Sequence, residues 1–307
     1  MKPLIISASR RTDIPALYAE WFIRRVRAGY CMVANPCNRR QVSRISLLPE
    51  DVAVVVFWSR NPRPLLPYLA ELDERGMRYY FHYTLMDNPR EIDAHGPSLR
   101  VSLHSFRQLA EHVGPQRVIW RYDPILLTET TSPDFHLRRF AAIAAQLEDL
   151  TRRCVISLVD DYRKIRSRMA ALSTTPGFRV DCYRPGRHEP MLREMLAIAS
   201  TRGMQVSSCA EEQGFAHLGI TPGRCIDADY IRHTFGVAVT HAKDRGQRSA
   251  CGCVASRDIG VYDSCILGCR YCYATSSPAR ALANYRCHDV EAPALLPGAA
   301  AASPRNC

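Results

Sequence analysis

The sequence holds no long apolar run. Nothing in it approaches the ~18 uncharged apolar residues of a membrane span, so no membrane partner is expected. The opening MKPLIISAS has only about five apolar residues in a row before two arginines, too few for a signal-peptide core. No glycine-rich dinucleotide fingerprint follows that first run, and no P-loop occurs elsewhere. The 10 histidines form no HxxxH or HExxH pair, so none is assigned to metal. No Ser–His–Asp arrangement or glycosidase-type carboxylate pair stands out, and no repeat of fixed period recurs. Long Lys/Arg blocks are missing too, although the formal charge is +11. That charge reads first as solvated faces of an arginine-rich chain. The sharper reading is an anionic partner, either nucleic acid or a phosphorylated or carboxylated substrate.

What the sequence has in plenty is cysteine, 13 in 307 residues, an odd number crowded toward the C-terminus. Without a signal peptide the expected location is cytoplasmic, where thiols stay reduced. Metal binding is then favoured over a disulfide framework. Apolar residues make up 47% of the chain, enough for a sizeable core.

Apolar runs and helical periods alternate. Strands are predicted over 3–9, 52–59, 78–85, 117–126, 154–160 and 204–210, with a hairpin over 30–47. Helices are predicted near 15–29, 62–75, 98–113, 133–151, 161–172 and 189–202, with shorter ones at 227–235 and 277–285. Strands that are apolar throughout are buried on both faces, as parallel strands are. The expected fold is α/β, a full or partial (β/α) barrel of about six or more parallel strands. A doubly wound open sheet is the alternative. Residues 1–210 would form the barrel-like core and 211–290 a cysteine-rich segment covering its mouth. Residues 291–307, rich in Ala and Pro, would be a disordered tail.

Polar clusters follow each of the six strands: SASRRTD, FWSRNP, HYTLMDN, RYDP, SLVDDY and SCAEE. In a barrel these positions share one mouth, where sites are built. Arg10 and Arg11 are placed there to bind a carboxylate, and Asp13 reads as a helix cap. Arg60, Asn61 and Thr84 follow as binding candidates. Arg121 and Asp123 lie two apart on one strand face, a catalytic pair or a local ion pair. Asp160, Cys209 and Glu211 complete the ring.

The strongest signal is CILGCRYC, residues 265–272. Its loop lets the thiolates of Cys265, Cys269 and Cys272 converge on three corners of an iron–sulfur cube, with Gly268 relieving crowding. Zinc or a plain electron-transfer cluster would use the same ligands. Cys209, Cys225, Cys251 and Cys253 make a second four-thiolate candidate, for either a [4Fe–4S] cluster or structural zinc. The alternative is that some of them are buried small hydrophobes. Cys31, Cys37, Cys154 and Cys182 are read as packing residues, and Cys287 and Cys307 as incidental.

CILGCRYC is similar to the CxxxCxxC motif of the radical S-adenosylmethionine (SAM) superfamily, with Tyr271 at its aromatic position. The resemblance implies a (β/α) barrel and a [4Fe–4S] cluster whose open iron chelates SAM. It also implies a reductant such as flavodoxin or ferredoxin, and radical chemistry on an unknown substrate. That family's motif normally follows the first strand, whereas the corresponding loop here, SASRRTDIP, has no cysteine. FWSRNP and RYDPI also resemble, loosely, strand-end segments of spore photoproduct lyase-type enzymes. The whole chain resembles the domain of unknown function 1848 family, through SASRRTDIP, FWSRNP, RYDPI, CAEE, CGC and CILGCRYCYA. The competing expectation is a basic Fe–S or zinc protein that binds nucleic acid without SAM chemistry, its affinity falling steeply with salt.

Overall fold

The computed structural model describes residues 3–212 and 214–297, the side chain of Arg39 excepted. Its first half is β1 (Leu4–Ala8), α1 (Ile14–Leu17), α2 (Ala19–Ala28), β2 (Tyr30–Asn35), β3 (Asn38–Ser46), β4 (Val52–Ser59), α3 (Leu69–Glu74), β5 (Tyr79–Thr84), α4 (Leu99–Val113) and β6 (Val118–Ile125). The second half is α5 (Pro133–Gln146), β7 (Arg153–Leu158), α6 (Arg166–Ser173), α7 (Pro185–Ser200), β8 (Gln205–Cys209), β9 (Thr221–Gly223), α8 (Ala228–Phe235), β10 (Arg257–Asp258) and α9 (Pro278–Arg286). Strand β4 spans the segment expected from its Val-rich run. The helix expected at 15–29 is broken at Tyr18, and its two ends are set by the Asp13 cap and by Gly29 in the left-handed region.

Eight strands form one sheet in the order β10-β1-β4-β5-β6-β7-β8-β9, all pairs parallel. Strands β2 and β3 make a separate antiparallel hairpin. The full barrel among the sequence expectations is not what the described residues form. The strands make an open row with β10 and β9 at its edges. Those edges are two and three residues long, and β9 carries Pro222, which has no N–H for a further neighbour. Both come from beyond residue 210, so the segment read as a separate cysteine-rich unit supplies two strands of the sheet.

Alternate residues of each strand feed different cores. Val55, Phe57, Phe81, Trp120 and Ile156 pack under the helices in the larger one. Val54, Val56, Tyr80, Ile119 and Val155 face a smaller one, covered by Ile231 of α8 and by Ile226, Val239 and Val254. Each fully buried side chain of this size contributes about 2 kcal/mol. Arg121 and Asp123 continue the alternation of Ile119 and so project on the second face.

The expected disordered tail is corrected over residues 291–297. Met32 N–H donates to the Pro293 carbonyl at 2.8 Å, the Trp21 indole donates to the Ala292 carbonyl at 2.9 Å, and Leu295 is buried. The Ala/Pro composition hid this because the segment docks through isolated carbonyls and one apolar side chain, without a repeating period. The remainder of that expectation, 298–307, lies outside the described residues. Among the described residues no helix is long and apolar enough to cross a membrane.

Candidate cysteine-lined site

The C-terminal ends of β1, β4, β5, β6, β7 and β8 open on a cavity of about 520 Å³. All seven cysteines singled out from the sequence line it, together with Arg10, Arg11, Arg60, Thr84, Arg121, Asp123 and Tyr271. Asn61 and Glu211 do not. The Asn61 N–H turns back to the Ser59 hydroxyl at 3.0 Å, and the Glu211 carboxylate accepts from Leu158 N–H at 2.8 Å beyond the end of β7.

The wall nearest the chain's end is the loop 265–272. It runs beside the segment after β5. His95 N–H donates to the Leu267 carbonyl at 3.1 Å and Arg270 N–H to the Ile92 carbonyl at 2.9 Å. Gly268 has φ +72°, and a Cβ there would stand 3.1 Å from the Ala94 Cβ, so glycine allows both the turn and the close approach. Tyr271 is buried against Ile92, Leu126 and Phe178. Its hydroxyl donates to Asp93 Oδ1 at 2.8 Å and also meets the Arg60 guanidinium, which pairs with Asp93 Oδ2 at 2.7 Å. The Tyr273 hydroxyl donates to the Arg10 carbonyl at 2.9 Å, and the Tyr18 hydroxyl to the Ser264 carbonyl at 2.6 Å. The cysteine loop is thus folded back onto the ends of β1 and β4.

Its three thiols sense one another as charges, and no hydrogen bond joins their sulfurs among the described residues. Burial pushes the Cys265 thiol up to about 12 and raises Cys269 well above the ordinary range. Opposing this, the Arg60 charge favours the Cys269 thiolate, and the backbone N–H groups of Leu267 and Asp13 favour that of Cys265.

The opposite wall is built by Cys209 at the end of β8, Cys225 after β9, and Cys251 and Cys253. The Cys209 and Cys225 sulfurs are 3.5 Å apart. Cys225 also contacts Cys253, and Cys253 contacts Cys251. That last contact lowers the Cys251 thiol to about 7. Arg121 Nη1 donates to Cys225 Sγ at 2.9 Å while its Nε and Nη2 hold Asp123 Oδ2 at 3.1 and 2.6 Å. Ile226 N–H donates to Cys253 Sγ at 3.3 Å. His82, whose pKa burial drives well below the ordinary imidazole value, is neutral and hydrogen-bonds the Cys225 carbonyl at 2.8 Å. As the side chains stand, no group of three or more His, Cys, Asp or Glu meets the geometry of a metal-ion site among the described residues.

Two carboxylates missed from the sequence organise the rim. Asp258 on β10 accepts from the Ser7 and Ser9 hydroxyls at 2.6 and 2.7 Å and from Arg10 and Gly260 N–H at 2.8 and 2.9 Å. A Cβ at Gly260 would collide with Ser9 Oγ, so glycine keeps this cradle closed. Asp93 holds Arg60. Neither belongs to a strand-end cluster in the sequence, so nothing there marked them. Asp13, read as a cap, does accept from Ala16 N–H at 3.0 Å, and its other oxygen accepts from Arg60 N–H at 2.7 Å. Burial pushes it up to about 6.

A family model described as "Domain of unknown function (DUF1848)" matches residues 5–274, a span containing both cysteine groups and every lining strand end. The chain belongs to the DUF1848 family. No curated protein matches it. A solved structure of a proposed alpha-L-fucosidase from Bacteroides thetaiotaomicron VPI-5482 aligns at 10% identity over 78% of this chain and 83% of its own, with a TM-score of 0.24. So loose an overlap bears on neither fold nor chemistry.

Proposed function

We propose that this DUF1848 chain is a cytoplasmic radical SAM-type enzyme acting on an unknown, anionic substrate. Its sheet is read as a partial (β/α) barrel with the cysteine-rich extension over the mouth. Cys265, Cys269 and Cys272 would hold a [4Fe–4S] cluster. The observation that carries the reading is a coincidence in one cavity. Three thiols at CxxxCxxC spacing face it, and so do residues whose buried polar atoms lack any partner: Arg10 Nη2, Thr12 Oγ1 and Arg60 Nε. Buried polar groups normally find partners, so these atoms suit a polar, negatively charged ligand. The donor set fits the cluster: three soft thiols, with backbone N–H groups and one buried guanidinium favouring their ionised form.

When bound, the cluster, fed by a reductant such as flavodoxin or ferredoxin, would supply the electron that cleaves SAM. The remaining work falls to this chain's own residues. Arg60, fixed by Asp93 and Tyr271, holds positive charge beside Cys269. Arg10, stacked 5.0 Å over Trp58, and Arg11, 5.3 Å over Tyr262, offer guanidinium groups to a carboxylate. Thr84 offers a hydroxyl on the floor. Asp123, clamped by Arg121 and bonded by the Ser157 hydroxyl, is the carboxylate placed to hold or pass a substrate proton.

Anaerobic reconstitution tests this reading. The expected result is about four irons at the three-cysteine loop, an EPR signal that changes on adding SAM, and SAM cleavage under reduction. Intact SAM beside a reduced, fully loaded cluster overturns it.

A further inference from the structure

The second cysteine wall does not need the SAM reading. Sulfurs that ligate a cubane sit on separate irons, well beyond contact with one another. Sulfurs that share one tetrahedral ion at ~2.3 Å stand about 3.8 Å apart. Cys209 and Cys225 are 3.5 Å apart, and contacts continue from Cys225 to Cys253 and from Cys253 to Cys251. The 3.5 Å separation of Cys209 and Cys225 is near that of two ligands sharing one ion and far below that across a cubane.

The surroundings agree. Thiols are poor acceptors and thiolates good ones, and N–H donors converge on this wall. Arg121 donates to Cys225, Ile226 N–H to Cys253, and the Arg10 guanidinium lies against Cys253. Such donors orient and stabilise ligated thiolates. Four thiolates around a dication carry a net charge of −2, which suits a wall faced by two guanidinium groups.

We infer that Cys209, Cys225, Cys251 and Cys253 form a four-thiolate site for one thiophilic divalent ion, Zn²⁺ or Fe²⁺. The ion replaces up to four thiol protons, which leave to solvent, and nothing is oxidised or reduced. Binding requires the thiols to rotate about their Cα–Cβ bonds until all four face one point. The site staples the β8–β9 edge to the loop carrying Cys251 and Cys253, closing the cover over the smaller core.

The test uses the full chain with Cys265→Ala, Cys269→Ala and Cys272→Ala combined, so that the proposed cluster is gone. The expected result is about one zinc or iron per chain, with elemental analysis deciding between them. Co²⁺ should replace it and show thiolate charge-transfer and tetrahedral ligand-field bands. Adding Cys225→Ser should abolish or shift those bands. A folded triple variant that takes up no Co²⁺, or that takes up iron together with sulfide, overturns the inference. If the triple variant does not fold, alkylation of the wild type mapped by mass spectrometry replaces it. Joint protection of these four cysteines by Zn²⁺ supports the site, and protection of none overturns it. Loss of SAM cleavage alone leaves the inference untouched, so the two readings fail separately.

Discussion

The two cysteine walls face the same cavity, yet they are made in different ways. Cys265, Cys269 and Cys272 lie on one eight-residue loop, and their separation follows from local backbone geometry, with Gly268 at the turn and Tyr271 as the anchor. Cys209, Cys225, Cys251 and Cys253 come from a strand end, an edge-strand exit and a returning loop. They meet because β9 pairs with β8 and because Val254 N–H reaches the Ile226 carbonyl at 3.0 Å. A local loop keeps its sulfurs apart, and long-range packing presses sulfurs together. On the two proposals made above, the same ligand atom would serve a cluster on one wall and a single ion on the other.

The change expected to break this contrast most sharply is Cys269→Ala. Iron and sulfide at the loop should fall from about four to near none, while the ion on the opposite wall stays, as elemental analysis with EPR would report. Next comes Asp258→Ala, which leaves four donors facing a void at the joint that carries both walls. A loss of about 3–4 kcal/mol is expected in urea unfolding. His136 separates stability from site chemistry, because it lies on the helix-packed face of the sheet, bonded to the Tyr122 hydroxyl at 2.9 Å. Burial lowers it from 6.5 to about 4. The unfolded chain therefore takes up the proton first as pH falls. Its contribution is full above pH 6.5 and is lost as pH drops toward about 4, by roughly 3 kcal/mol. His136→Gln should flatten that slope in pH-dependent unfolding. The smallest effect is expected from Tyr271→Phe, about 1 kcal/mol of stability with cluster loading retained, since one hydroxyl bridging Arg60 and Asp93 is lost.

The interior strands were legible because burial on both faces writes an unbroken apolar run, as in VAVVVFWS. The edge strands were not. Thr221–Gly223 and Arg257–Asp258 have no apolar pattern, and they are strands only because β8 and β1 offer them unpaired N–H and C=O groups. The spacing of CILGCRYC is local and can be read from sequence, whereas its position beside the strand ends comes from the fold. The ring of rim residues was half legible. Arg10, Arg60, Arg121 and Asp123 follow strands directly. Asp258 reaches the same cavity from an edge position and Asp93 braces its lining residues Arg60 and Tyr271 from a loop, where sequence distance says nothing about proximity. Asn61 shows the converse error, because adjacency to Arg60 did not bring it to the cavity.

The pairing of β1 with β10 also sets an order of events. Strand β1 precedes its edge partner far along the chain, and the Ser7–Asp258 contact that completes its free edge spans 251 residues. Contacts of such separation form late. Until then Ser7, Ser9 and the Arg10 N–H stand open to water, and the Tyr273 hydroxyl has no fixed Arg10 carbonyl to meet. Cluster and ion loading should therefore trail the rest of folding. In pulse-labelled hydrogen exchange, the amide of Ile259, bonded to the Ser7 carbonyl at 3.0 Å, should be among the last to gain protection. Maturation of the site would then be timed by the docking of the segment that carries Asp258 against β1.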